Sequence, residues 1–156
     1  MFKINIPGVA PLAVQHLILD FNSTLAVDGR LLPGVEERLV ALARQLQLHV
    51  LTADTFGHAA EALRGIPCTL SILTDARQAE GKLAYVRQLG ATTCVCIGNG
   101  LNDRLMLTEA ALGIAVIQEE GAAVATLVAA GVATCSIGAA LDLLIKPLRL
   151  TATLRA

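Results

Sequence analysis

Charge is scarce in this chain. Asp, Glu, Lys and Arg supply 16% of its 156 residues and the formal net charge is -1, which excludes a basic field for a nucleic acid and an acidic solvating tail. A small polar ligand therefore suits it better than a polymer. The N-terminus, with Lys3 and Pro7, has no apolar signal-peptide core, and the cytoplasm is the expected compartment. No two cysteines have Cys-x-x-Cys spacing. Cys68, Cys94, Cys96 and Cys135 all lie in apolar, strand-like runs, where a free thiol acts as a small hydrophobe, and Cys94 and Cys96 alternate with Val95, so they share one face of a strand. His16, His49 and His58 have no ligand spacing either, which gives them structural or surface roles.

Mean hydropathy is high, +0.64, and Gly121 to Leu141 holds no charged residue, long enough for a membrane span. Its Ala, Gly, Thr and Ser content and its Gly131 turn argue against one. The stretch divides instead into a helix over Ala122–Ala130, a strand over Ala133–Ile137 and a helix beginning near Gly138.

At this length one domain with a sizeable core is expected over residues 1–156. Phe2-Lys3-Ile4-Asn5-Ile6 alternates and is closed by Pro7-Gly8, which predicts a small N-terminal β-hairpin over residues 1–13. A core over 14–146 and a C-terminal tail over 147–156 follow. Within the core, an apolar strand ends at Asp20, and Val27-Asp28-Gly29-Arg30 reads as a hairpin-type turn. Pro33-Gly34 opens a helix with Val35, Leu39, Leu42 and Leu46 on one face. Strands over 48–52, 68–73, 93–97, 114–117 and 133–137 then alternate with helices over about 56–64, 78–89, 102–111, 122–130 and 139–145. Such alternation gives right-handed βαβ units and a three-layer, Rossmann-like α/β fold with a mainly parallel sheet.

Four signals stand at strand ends: Asp20 with Asn22 and Thr24, Thr52 in Leu51-Thr52-Ala53-Asp54-Thr55, Lys82 early in a helix, and Gly98-Asn99-Gly100-Leu101-Asn102-Asp103. A carboxylate at the C-terminal end of a parallel strand faces the crevice where open α/β sheets bind ligands. Each signal also has an ordinary structural reading. Asp-x-Asn-x-Thr is commonly a turn whose side chains bond their own backbone. Lys82 suits a solvated helix face, and Asn102-Asp103 and Asp54-Thr55 suit helix caps.

Together the four resemble the haloacid-dehalogenase-like (HAD) hydrolase superfamily. Leu51-Thr52-Ala53-Asp54 looks like the L-T-G-D of the phosphorylation domain of P-type ATPases. Ile97-Gly98-Asn99-Gly100-Leu101-Asn102-Asp103 looks like its G-D-G-x-N-D, and Gly113-Ile114-Ala115-Val116 like its G-I-A-M. With no membrane segments, the chain resembles the soluble P-type ATPase-like group over residues 14 to 146.

The resemblance implies a magnesium-dependent phosphohydrolase or phosphotransferase acting on a small phosphorylated molecule through an aspartyl-phosphate. Asp20 would be the nucleophile, and Thr52, the Ala53 N–H and Lys82 would hold the phosphoryl oxygens. Asp20, the Asn22 carbonyl and Asp103 would bind Mg²⁺, with Asn99 as a neutral donor where relatives carry an acid, so the ion should be held weakly. Asn22 stands where phosphatases of the superfamily place a general acid, and an amide cannot exchange that proton, which implies slow turnover of alkyl phosphates. The alternative is a catalytically reduced regulatory or phosphate- or partner-binding module on the same fold.

Only 32 positions separate Asp20 from Thr52 and 30 separate Thr52 from Lys82, so neither gap has room for a cap domain. Capless relatives act on macromolecules or let a neighbouring subunit cover the crevice, and the N-terminal hairpin offers an edge for a homo-oligomer.

Overall fold

His16-Leu17-Ile18-Leu19-Asp20 is buried along its whole length, as a strand covered by helices on both faces must be. In the computed structural model, which describes residues 1–54, 57–74 and 76–156, this strand (β3) lies inside a six-stranded parallel sheet. After an antiparallel hairpin of β1 (Phe2–Ile4) and β2 (Leu12–Val14) come β3 (His16–Asp20) and a second small hairpin of β4 (Ala26–Val27) and β5 (Arg30–Leu31). The order continues α1 (Val35–Leu42), β6 (Gln47–Thr52), α2 (His58–Ala62), β7 (Thr69–Ile72), α3 (Gln78–Leu89) and β8 (Cys94–Gly98). It ends α4 (Arg104–Glu109), β9 (Leu112–Val116), α5 (Val124–Ala129), β10 (Val132–Thr134), α6 (Ile137–Ile145) and α7 (Pro147–Leu154).

The sheet order is β10-β9-β8-β3-β6-β7. From β3 the chain runs outward through β6 and β7, then returns to lay β8 on the other side of β3. The direction of winding reverses at β3, and the crevice at such a reversal is where doubly wound sheets bind ligands. Because the strands are parallel, Asp20, Thr52, Gly98 and Val116 all end at the same edge. Alternation along the strands divides the core in two. Leu17, Leu19, Val50, Val95 and Ile97 join one cluster, while Ile18, Leu51, Cys94 and Cys96 join the other with Val86, Met106 and Leu107. Cys94 and Cys96 thus share a face, as their spacing predicts.

Several boundaries differ from the sequence reading. Val14 belongs to the N-terminal hairpin, and the main sheet begins at His16. Ile137 starts α6 instead of ending a strand, because Ser136 caps that helix by accepting the Ala139 N–H at 3.0 Å. Cys135 therefore lies beyond β10 and is exposed. Residues 147–154, read as tail, form α7, whose Leu150 is buried. Thr151 and Ala156 donate to the carbonyls of Asn5 and Pro7, so this helix packs on the N-terminal hairpin. The helix expected from about Phe56 is described from His58, and Thr55 and Phe56 lie outside the described residues. The Val27–Arg30 turn takes the form its residues imply, with Asp28 and Gly29 both at positive φ, 51° and 74°.

Candidate active site

Asp20 lies two residues past Ile18 and so shares its face, the one covered by α3 and α4. There the Lys82 ammonium lies 2.7 Å from Asp20 Oδ1 and 2.6 Å from Asp103 Oδ1. Lys82 is 1% exposed and Asp103 is fully buried, which rules out a solvated helix face for Lys82. Burial alone would lower the Lys82 pKa, but Asp20 and then Asp103 raise it above its ordinary value, and it stays charged. Asp20 moves the other way. Burial first and the Asp103 charge second push it up to about 6, against the pull of Lys82 and Thr24.

Asp103 occupies the N-cap position of α4, but its side chain makes no capping hydrogen bond to that helix. Its Oδ2 turns back on its own loop and accepts the N–H groups of Asn99 (3.0 Å) and Gly100 (2.9 Å), and the helix expected over 102–111 opens as a 3-10 turn over Leu101–Asp103. This fold-back requires Gly98, because a Cβ there would lie 2.5 Å from the Asp103 carboxyl carbon.

Thr24 reaches the nucleophile candidate through a tight coil in which the Phe21 carbonyl accepts the N–H groups of Thr24, Leu25 and Ala26. Its hydroxyl lies 3.1 Å from Asp20 Oδ2 and 3.2 Å from Asn99 Oδ1. In the sequence Thr24 reads only as part of a motif, yet it joins the first loop to the late one. The Asn99 side-chain amide also donates to the Gly121 carbonyl at 3.1 Å.

Thr52 is buried at the end of β6, one position past Leu51, the register partner of Asp20. Its hydroxyl oxygen accepts the Asp54 N–H at 3.1 Å, leaving its own proton to donate. Ala53 is half-buried and Asn22 exposed. Among the described residues no hydrogen bond or ion pair joins Asn22, Thr52 or Ala53 to the trio of Asp20, Lys82 and Asp103. Asp54 accepts the Ala59 N–H at 2.6 Å, the helix-cap role expected of it; Thr55 lies outside the described residues.

Among the described residues no group of three or more His, Cys, Asp or Glu side chains is arranged to hold a metal. The two carboxylates gathered there, Asp20 and Asp103, match in number the one or two that an ion keeping its waters takes, as Mg²⁺ does. One ammonium against two carboxylates leaves a formal charge of about -1, so a phosphate dianion could approach only with an added cation. Cys96 takes no part, since burial, then Cys94 and Asp103, push its thiol well above its usual range. No helix among the described residues is long and apolar enough to cross a membrane.

No family model matches the chain. It is 44% identical over 39 residues to the uncharacterised protein MJ0072 of Methanocaldococcus jannaschii, covering 89% of that protein and 25% of this chain. It is 48% identical over 61 residues to the uncharacterised protein MJ0073 of the same organism, 39% of this chain and 66% of that protein, just under two thirds of its length. Among solved structures it is similar to 3-deoxy-D-manno-octulosonate 8-phosphate phosphatase of Moraxella catarrhalis, in complex with magnesium, phosphate and its sugar, at TM-score 0.72 and 16% identity over 91% of this chain and 94% of that one. The cobalt-bound form of the Haemophilus influenzae phosphatase matches at TM-score 0.72 and 12% identity, covering 92% and 94%. The chain therefore belongs to one family with MJ0072, and its fold is that of the HAD-family phosphatases it resembles.

Proposed function

We propose that this chain is a divalent-metal-dependent phosphohydrolase or phosphotransferase that works through an aspartyl-phosphate on Asp20, with chemistry closest to the soluble P-type ATPase-like proteins. The observation that carries this reading is the buried Lys82 ammonium between Asp20 and Asp103. Burying two carboxylates against one ammonium is poor design for stability. Its use is to set a nucleophile beside a fixed positive charge at the sheet's switch point.

In this mechanism an Asp20 oxygen forms a bond to phosphorus while the leaving oxygen departs with its bonding pair. The Thr52 hydroxyl, the Ala53 N–H and Lys82 hold the equatorial oxygens as charge redistributes. Water then attacks the phosphorus of the acyl phosphate, releasing phosphate and restoring the Asp20 carboxylate. Magnesium, held by Asp20, the Asn22 carbonyl and Asp103 with Asn99 as a neutral donor, would supply the positive charge that lets two anions meet; the magnesium and cobalt of the fold relatives support a divalent ion. Asn22 cannot protonate the leaving group, so acyl, aryl or nucleotide phosphates are better substrates than sugar phosphates. The site is expected to work in the cytoplasm on a small molecule, with a second copy as candidate cover for the open crevice.

The test is turnover of acetyl phosphate and para-nitrophenyl phosphate with Mg²⁺ by the wild type and by Asp20→Asn. Loss of turnover in the variant supports the enzyme. Equal rates would leave a phosphate-binding or regulatory module.

A further inference from the structure

Gln118 follows β9, and its side chain uses both ends of its amide. Nε2 donates to the Ser23 carbonyl (3.1 Å) and the Thr24 carbonyl (3.1 Å), and Oε1 accepts the Ile137 N–H (2.9 Å). One side chain thus ties the loop after the nucleophile strand to the start of α6. That loop needs holding. Ser23 has φ 63°, a left-handed conformation strained for a residue that bears a side chain, and its hydroxyl also pairs with Glu120.

The same short segment reaches the late loop, since the Gly121 carbonyl accepts from the Asn99 side chain and the Ala123 N–H donates to the Asn99 carbonyl. Residues 118–123 therefore grip both sequences that meet at Thr24, whose hydroxyl touches Asp20 Oδ2 and Asn99 Oδ1.

The geometry points to Gln118 as a positioning residue for the phosphoryl-transfer site: it fixes the Ser23-Thr24 backbone so that the Thr24 hydroxyl bridges Asp20 and Asn99. The kinetic form of this inference rests on the proposed function, while its structural form stands apart from it. Only an amide of this length can donate to two carbonyls and accept an N–H together. A carboxylate at the same place keeps the acceptor and loses the donors.

The experiment is a double-mutant cycle of Gln118→Met with Thr24→Val, assayed on acetyl phosphate with Mg²⁺, with Gln118→Glu as a second variant that keeps the bond to Ile137. If Gln118 acts through Thr24, each single change lowers kcat about tenfold with KM little altered, and the double variant is no slower than the slower single one. Multiplying losses, or a Gln118→Glu variant with wild-type kcat, would overturn the inference. Crystal structures of the Gln118 variants decide the matter even if the wild type turns over nothing, a result that would sink the functional reading alone. A Thr24 hydroxyl withdrawn from both Asp20 and Asn99 supports positioning, and one that stays within hydrogen-bond distance of both refutes it.

Discussion

Lys82 Nζ lies 2.7 Å from Asp20 Oδ1 although 62 positions separate the two residues. Asp103 claims the same ammonium from the other side at 2.6 Å, so two buried carboxylates share one cation.

Asp20→Asn removes one of those like charges. Because Asp20 is pushed up to about 6, it is ionised at pH 7.5, but its charge costs the folded chain stability relative to the unfolded one. The metal-free variant should be more stable than wild type at pH 7.5 by on the order of 1–3 kcal/mol, while losing turnover. Urea unfolding in the presence of a chelator measures this. A lower midpoint for the variant would mean that the attraction to Lys82 outweighs burial and repulsion.

Gly98→Ala sets a methyl group 2.5 Å from the Asp103 carboxyl carbon. The change should cost roughly 1–3 kcal/mol by overpacking and should weaken magnesium binding by displacing Asp103. Calorimetric titration beside thermal unfolding checks both effects, and a variant with wild-type stability and affinity contradicts the fold-back role of Asp103.

His16 Nδ1 lies 3.1 Å from His49 Nε2, and His49 Nδ1 lies 2.9 Å from the Tyr85 hydroxyl. Burial lowers the His16 pKa, and burial, then His16, lowers that of His49. The unfolded chain, near 6.5 at each histidine, takes up protons first as pH falls. Stability from this pair is therefore present at pH 7.5 and lost as pH drops below about 6.5 toward the lowered folded-state values. Asp20 acts in the opposite sense, so the comparison belongs in the Asp20→Asn background. There, replacing both histidines with Gln should flatten the decline in thermal midpoint between pH 7.5 and 5.5. An unchanged slope would remove the pair from the account.

Asn22→Asp would supply the proton donor that the proposed mechanism lacks. Positioned general acids contribute about 10²- to 10⁴-fold, so turnover of a sugar phosphate should rise by at least about tenfold while acetyl phosphate, with its better leaving group, changes much less. Equal effects on both substrates would show that Asn22 does not stand at the leaving oxygen.

Much of this arrangement is legible in the residues themselves. The apolar run ending at Asp20 marks a buried parallel strand, Asp28-Gly29 a tight hairpin turn, and the alternation of Cys94, Val95 and Cys96 two faces of one strand. Lys82 is harder, because its neighbours fit an exposed helix as well as a buried one, and only the packing of α3 over β3 decides. Gln118 leaves no signal of spacing. Its partners are backbone carbonyls 94 and 95 positions away, and a carbonyl that needs a donor is invisible in a sequence. Ser136 is hidden for a different reason: Ala133 to Ile137 reads as a plausible strand, and the capped helix start within it emerges only when the Ala139 N–H meets the serine oxygen.

The proposed function requires Asp20 to carry the phosphoryl group. Acid-quenched protein incubated with Mg²⁺ and acetyl phosphate, then digested and read by mass spectrometry, should hold one hydroxylamine-labile phosphoryl group on the peptide containing Asp20, absent from Asp20→Asn. No phosphoryl group on that peptide while the wild type turns over substrate, or the same group in Asp20→Asn, would contradict the account.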